Sequence, residues 1–328
     1  MRQSIAAAIF SPSDPCLPLV EKVVCAPPPA AAPPGGAAAA ALRAGVEAAL
    51  APARPADGAL LIYTSGTTGT PKGALHSHAS LAAQVAAQRV AWEWAPTDRI
   101  LHALPLHHIY GAVNALYCAL ASGAAVEFLP RFSPAAAWDR LLRRQDPVTV
   151  FMGVPTMFSY LLASAARAAP HEGAGAAAAA ARLRLAVCGS AALPPAVARA
   201  WAALAGAPPL ERYGSTEAGM VLGQPLRGER RPGVAGAPFP GVEARLVPLE
   251  GGAEGLGALG AEGAEGAAGE LRIRSPQLFA GYWGRPEATA AAFDAGGWFR
   301  TGDVVVYNAS TDEYRLLLCA KCEWEEAE

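Results

Sequence analysis

The run Tyr63-Thr64-Ser65-Gly66-Thr67-Thr68-Gly69-Thr70-Pro71-Lys72-Gly73 packs hydroxyls, glycines and one lysine into eleven positions. Glycine lets a backbone turn its N–H groups toward a ligand. Such N–H groups, with hydroxyls beside them, suit phosphate oxygens. Lys72 closes the run and can neutralise charge on the far phosphates. The spacing is not G-x-x-x-x-G-K-[ST], so this is not the usual P-loop. The chemistry indicated is the gripping of a polyphosphate.

Short β-type runs and Ala/Leu-rich helical runs alternate around this loop. Strands are expected at 60–63, 100–104, 125–129, 148–152 and 184–187, and helices at 80–89, 112–121, 134–144, 155–166 and 194–204. Pro134 stands at the favoured first turn of its helix. Strand–helix alternation at this spacing predicts an α/β fold, a mostly parallel sheet layered with helices on both faces. After about residue 235 the pattern changes. Residues 242–247 and 270–274 alternate apolar and polar side chains with no helix between them, which predicts a smaller antiparallel β subdomain. The stretch 251–269 is almost only Gly, Ala and Glu and reads as a disordered loop. Residues 1–58, with Pro27-Pro28-Pro29 and Pro33-Pro34-Gly35-Gly36 among alanines, read as a low-complexity segment.

The 328 residues fit one large or two medium domains. Lys and Arg number 26 against 28 Asp and Glu, a net charge of −2. That balance argues against a general nucleic-acid binder, whose surface would be strongly basic. Apolar residues are 52% of the chain, enough for a substantial core, although roughly a quarter of the residues are alanines that bury little area each. The six cysteines are sparse and unevenly spaced, which fits a reduced intracellular protein better than a disulfide scaffold. Cys319-x-x-Cys322 has no second pair at zinc-site spacing. No long apolar run predicts a membrane span. The first ten residues decide nothing between a cytoplasmic and a mitochondrial location.

Tyr63–Gly73 resembles the signature phosphate loop of the acyl-adenylate-forming superfamily, which includes acyl-CoA synthetases, luciferases and peptide-synthetase adenylation domains. Four more segments match in order. Pro105-Leu106-His107-His108-Ile109-Tyr110-Gly111 resembles the His-containing turn beside the acyl pocket. Cys188-Gly189-Ser190-Ala191-Ala192-Leu193 resembles the segment lining the acyl group and adenine. Glu211-Arg212-Tyr213-Gly214-Ser215-Thr216-Glu217 resembles the nucleotide motif, and Trp298-Phe299-Arg300-Thr301-Gly302-Asp303 the ribose motif. The wording of 151–157, 210–213, 225–230 and 239–243 is similar to plant-type malonyl-CoA synthetases. On this resemblance the AMP-binding core is expected over 59–235, the β-rich subdomain over 236–317 and a divergent tail over 318–328.

The resemblance implies a two-step reaction. A carboxylate attacks the α-phosphorus of ATP, pyrophosphate leaves, and the thiol of coenzyme A then displaces AMP from the acyl-adenylate. It implies ATP, Mg²⁺ and coenzyme A as cofactor and co-substrates, with a small carboxylic acid as substrate. Thr64, Ser65, Gly66, Thr67, Thr68, Gly69 and Lys72 are implied to hold the triphosphate. Glu217 is implied to hold Mg²⁺, whose preference for hard oxygen suits a carboxylate. Thr216 would offer its hydroxyl to the α-phosphate. Ser190, Ala191, Glu211, Arg212, Tyr213, Gly214 and Ser215 would line the nucleotide, with Tyr213 stacked on adenine. Asp303 would accept both ribose hydroxyls. His108 would sit by the carboxylate, although the adjoining His107 could be the one that faces in. Thr64, Lys72, His108, Thr216 and Glu217 are therefore the candidate catalytic residues.

Malonate keeps a second carboxylate, and burying that charge needs a cation. Malonyl-specific relatives commonly carry a basic residue one turn after the Val-Pro-Thr segment. Here that position holds Tyr160, which also permits a short neutral acid; Arg184, Arg227, Arg230 or Arg231 could supply the cation instead. Relatives also continue beyond a Gly-Arg hinge into a small C-terminal domain bearing a catalytic lysine, a role not assigned to Lys321. They carry a long folded segment before the phosphate loop as well. The expectation is a chain incomplete at both ends. It is either an acid–CoA ligase, for malonate or another short- or medium-chain acid, or an impaired nucleotide-binding remnant of one. Its oligomeric state is open.

Overall fold

The loop is carried by a hairpin. β1 (Gly58–Thr64) and β2 (Lys72–Ser77) pair antiparallel. The sequence pattern placed the first strand in the strand–helix series, but the stretch between β1 and β2 is shorter than the dozen or more residues a parallel crossover needs. The computed structural model describes residues 54–64, 71–249 and 267–318. Ser65, Gly66, Thr67, Thr68 and Gly69 therefore lie outside the described residues. So do the expected low-complexity segment up to residue 53, most of the 251–269 loop, the CxxC and Lys321.

Helix α1 (His78–Ala91) starts directly after β2, where the Ser77 side chain accepts the Ser80 N–H at 3.1 Å and caps it. Then β3 (Arg99–His102) leads into a π-helical stretch, Tyr110–Tyr117, which continues as α2 (Cys118–Ala121). The expected helix is thus present with a widened first half. There the carbonyl of Gly111 accepts from His102 Nε2 at 2.9 Å. Along the chain follow β4 (Ala125–Phe128), α3 (Pro134–Leu142), β5 (Val150–Gly153), α4 (Pro155–Arg167), α5 (Pro170–Ala181), β6 (Leu185–Cys188), α6 (Pro195–Ala205), β7 (Leu210–Ser215) and β8 (Gly219–Gly223). Helix α5 is not among the expected elements. It has no large apolar side chain to betray a period, only good helix-forming alanines, of which Ala176, Ala179 and Ala180 are buried.

Adding β9 (Ala237–Pro238), a seven-stranded sheet runs β4-β3-β5-β6-β7-β8-β9. Its β4-β3-β5-β6-β7 part is parallel and its β8–β9 end antiparallel. Alternate residues of each parallel strand face opposite cores. Ile100, Val150, Met152, Leu185 and Val187 join the cluster under α1 and the π-helical stretch. Leu101, Phe151, Ala186 and Cys188 join the cluster under α3, α4, α5 and α6. A parallel sheet covered on both faces explains why these strands read as unbroken apolar runs.

The rest is antiparallel. β10 (Glu243–Val247), β11 (Ala267–Arg274), β13 (Phe299–Asn308) and β14 (Glu313–Leu318) form a four-stranded sheet. β12 (Gly281–Tyr282) pairs with β2 to complete the hairpin's sheet, and α7 (Pro286–Ala291) follows it. A third apolar cluster joins these sheets to the end of the large one. It includes Ala74, Tyr213, Ala218, Leu271, Phe279, Phe299 and Tyr314. Among the described residues, no helix is long and apolar enough to cross a membrane.

Candidate functional site

The register of the hairpin pairs Thr64 with Lys72. The loop between them leaves and returns at one point, with buried Thr64 on one lip and half-buried Lys72 on the other. Lys72 Nζ stands 5.1 Å from the centre of the Tyr282 ring, a cation–π contact. The Tyr282 hydroxyl donates to Glu217 Oε1 at 2.8 Å. Burial and the adjacent Glu217 carboxylate push that phenol up. Glu217 is itself buried, in the turn between β7 and β8. Its backbone carbonyl accepts from Phe279 N at 2.8 Å. Lys72, expected at the triphosphate, and Glu217, expected at its Mg²⁺, are therefore joined through a tyrosine that no sequence pattern singled out.

Tyr213 and Asp303 also come together. Both are buried, and the Tyr213 hydroxyl donates to Asp303 Oδ2. Thr301 Oγ1 accepts from Asp303 N at 3.0 Å and donates to the Leu271 carbonyl, which fixes the aspartate on β13. Tyr213 sits in the same apolar cluster as Phe279, whose ring lies 4.8 Å from that of Tyr282. The two pairs thus border one cluster.

Side chains alternate along β7, and the nucleotide motif divides accordingly. The Glu211 carboxylate accepts from Gly233 N at 2.6 Å and from the Leu193 backbone, so it braces two loops. Burial pushes its carboxyl up to about 7. Arg212 points the other way. Its guanidinium lies 3.8 Å from the centre of the buried Tyr110 ring and donates to Ser190 Oγ at 3.0 Å. Burial lowers its pKa, and no carboxylate pairs with it among the described residues. Gly189 is required here, because a Cβ would stand 2.3 Å from Arg212 Nε. Next to it Ser190 holds a left-handed backbone, φ +73°, uncommon for a residue with a side chain. Ser190 and Ala191 are exposed on the turn after β6.

The four arginines considered for a second substrate carboxylate, Arg212 not being one of them, are occupied. Arg184 pairs with Asp98 and donates to the Trp92 carbonyl. Arg227 pairs with Glu93, Arg231 with Glu229 and Glu313, and Arg230 donates to the Pro208 carbonyl. Tyr160 is 58% exposed on α4. The sequence ranks none of these correctly, since neither spacing nor composition shows which arginines have acidic neighbours.

His107 and His108 are both exposed ahead of the π-helical stretch, ring centres 4.3 Å apart. Desolvation, then the charge of His107, lowers the His108 pKa. His108 makes no hydrogen bond to Glu217 or Tyr282. The Thr216 carbonyl accepts from His76 Nε2 at 2.8 Å. The described residues hold no group of three or more His, Cys, Asp or Glu that could by themselves cage a metal.

A mixed, mostly parallel α/β sheet with an appended antiparallel unit, and a hairpin whose Lys72 meets a half-buried tyrosine bonded to the buried Glu217, describe an adenylate-forming fold. Residues 6–283 match the AMP-binding enzyme family, and the chain belongs to it. It is 46% identical to the mitochondrial malonate–CoA ligase of Mus musculus over 76% of this chain and 45% of that protein. It is 45% identical to a probable CoA ligase of Humulus lupulus over 75% of this chain and 40% of that protein. A solved malonyl-CoA ligase with methylmalonyl-CoA and AMP bound is 41% identical, with a TM-score of 0.70 over 80% of this chain and 53% of that one. The chain spans about half the length of the proteins it matches.

Proposed function

We propose that the chain carries the nucleotide and acid sites of an ATP-dependent acid–CoA ligase that acts on malonate. Bringing a carboxylate to a polyanion is mainly a matter of positioning and charge neutralisation. Thr64, Ser65, Gly66, Thr67, Thr68, Gly69 and Lys72 hold the triphosphate. Mg²⁺, bound with the nucleotide, supplies further charge neutralisation. Glu217 would hold that ion, and Tyr282 fixes the direction in which Glu217 points. Thr216 faces the α-phosphate. Asp303, held by Tyr213, takes the ribose, and Ser190, Ala191, Gly214 and Ser215 border the base. His108 borders the acid, and coenzyme A completes the second step.

The observation that carries this reading is the line from Lys72 through Tyr282 to Glu217 at the mouth of the hairpin loop. Malonate is supported by the names of the similar ligases and by Arg212. A buried guanidinium with no carboxylate partner is expensive unless an anion meets it. Arg212 lies between Tyr110, two residues past His108, and Ser190, so it borders the expected acyl site from both sides.

Calorimetric titration of MgATP into the full-length chain tests the nucleotide site. Lys72→Ala should weaken binding about tenfold or more, as expected for a lost charge-assisted contact; unchanged affinity refutes the site. Non-hydrolysable sulfamate analogues of malonyl- and acetyl-adenylate test the acid site. The parent should prefer the malonyl analogue, and Arg212→Met should erase that preference. A preference that survives the substitution removes Arg212 from the reading.

A further inference from the structure

His76 lies on β2, fully buried, in a strand whose other residues are explained by pairing and packing. Its Nε2 is 2.8 Å from the carbonyl oxygen of Thr216. A carbonyl only accepts, so Nε2 carries the proton and Nδ1 is the acceptor. Gln84 Nε2 lies 3.3 Å from Nδ1 and 3.0 Å from the Gln277 carbonyl, which uses both of its amide hydrogens. Ser80 Oγ is 3.4 Å from Nδ1 and donates to the Ser77 carbonyl at 3.1 Å. The imidazole is thus held in one tautomer and one orientation from α1.

The other end of this network holds the turn that bears Glu217. Gln84 packs so closely under Gly219 that a Cβ there would stand 2.4 Å from Gln84 Oε1, and Gly219 has φ +66°. His76 takes the carbonyl before Glu217, and Phe279 N takes the carbonyl of Glu217 itself. Lys72, Ala74 and His76 share one face of β2, by the two-residue period of a strand. Ala74 of that face pairs with Tyr282. One strand therefore presents Lys72 to Tyr282 at one end and His76 to Thr216 at the other, about 13 Å apart at about 3.3 Å per residue.

We propose that His76 is a positioning residue: with Gln84 behind it, it clamps the Thr216–Glu217 peptide and so fixes the Glu217 carboxylate against Tyr282 and the Lys72 lip. The effect on ligand binding rests on the nucleotide reading above; the clamp itself does not.

The test compares His76→Phe, which keeps the ring and loses both nitrogens, with His76→Gln, which restores a donor. MgATP binding is titrated over a range of Mg²⁺, in the parent and in a Glu217→Ala background. His76→Phe should weaken MgATP binding about tenfold, as one buried unmet hydrogen-bond partner does. It should raise the Mg²⁺ needed for half-saturation, and Mg²⁺-free ATP affinity should fall by less, since Thr216 moves with the same peptide. His76→Gln should recover most of the loss. In the Glu217→Ala background His76→Phe should add little, because the two act through one group. Amide hydrogen exchange at residues 216–219, read without nucleotide, should quicken in His76→Phe and return toward the parent rate in His76→Gln. If the parent itself fails to bind MgATP, the nucleotide reading fails and the exchange rates still decide the clamp. If His76→Phe does not fold, Gln84→Met, which removes only the support behind the ring, should raise exchange at 216–219 several-fold. Parent-like exchange at that turn, or a full additive loss on top of Glu217→Ala, overturns the proposal.

Discussion

Glu211→Gln should change how stability depends on pH. In the folded chain burial raises the Glu211 carboxyl to about 7, from an ordinary 4.5, against the pull of the Gly233 and Leu193 N–H groups. The unfolded chain releases this proton near 4.5 while the folded chain keeps it to about 7, so between those values the folded state binds more protons. Stability from this group is therefore full below about 4.5 and falls as the pH rises through about 7. At about 1.36 kcal/mol per pH unit, the gap between 4.5 and about 7 corresponds to about 3 kcal/mol. Glutamine keeps the size and an acceptor for Gly233 N but carries no charge at any pH. The assay is urea unfolding of parent and variant at pH 5, 6, 7 and 8, compared at each pH. Subtraction matters because His76 and His102, both pushed down by burial, remove stability below about 6.5 in either protein. The variant should gain on the parent from pH 5 to about 7 and level off by pH 8, at up to about 3 kcal/mol. A constant offset with no trend refutes the buried, proton-holding state of Glu211.

Phe158 is fully buried and meets Phe151 and Trp201 edge-on, with ring centres 5.6 Å and 4.8 Å away. Phe158→Ala should cost about 3–5 kcal/mol by denaturant unfolding, the range for large-to-small aromatic changes in a core; a loss below about 1 kcal/mol would mean the core there is not closed. Tyr282→Phe keeps the ring over Lys72 and deletes only the hydroxyl that reaches Glu217. It should raise the Mg²⁺ requirement for nucleotide binding several-fold, about 1–2 kcal/mol for a hydrogen bond to a charged group, while ATP affinity without Mg²⁺ stays as it was.

Much of the architecture is readable before any coordinates. The parallel strands announce themselves because both faces must be apolar, as at Leu185-Ala186-Val187-Cys188. Pro134 and Pro155 mark helix starts because a first-turn residue has no hydrogen bond to lose. The missed elements show less in the sequence, although α5 too opens on a proline, Pro170. Helix α5 packs through alanines, so its buried face has no large side chains to count. β12 is two residues long and exists only because β2 offers an edge. At the site, Lys72, Glu217, Tyr213 and Asp303 are legible because their neighbours in sequence are unusual. The fate of each arginine is not legible, since whether Arg184 or Arg212 meets a carboxylate depends on residues far away in the chain. Asp98 answers one, and among the described residues none answers the other.

That difference divides the work of the site between two kinds of residue. Groups that would touch a ligand sit in loops and strand ends, where local wording such as Thr-Ser-Gly or Tyr-Gly-Ser-Thr-Glu suits them to polar contacts. Groups that aim them sit where side chains are otherwise apolar. His76 in β2, Gln84 in α1 and Tyr282 in β12 belong to separate elements, and each reaches the Ser215–Gly219 turn or a neighbour of it. A polar residue in such a place adds nothing to burial and carries a desolvation cost unless its hydrogen bonds are met. What keeps it useful is that the bonds it does make, with Gln84 Oε1 left unmet among the described residues, favour one geometry, whereas an apolar replacement would leave the Thr216 carbonyl free to settle elsewhere. The position of Glu217 relative to Lys72 is therefore set less by the turn that carries it than by the register of β2, which holds both ends of the arrangement on one rigid face.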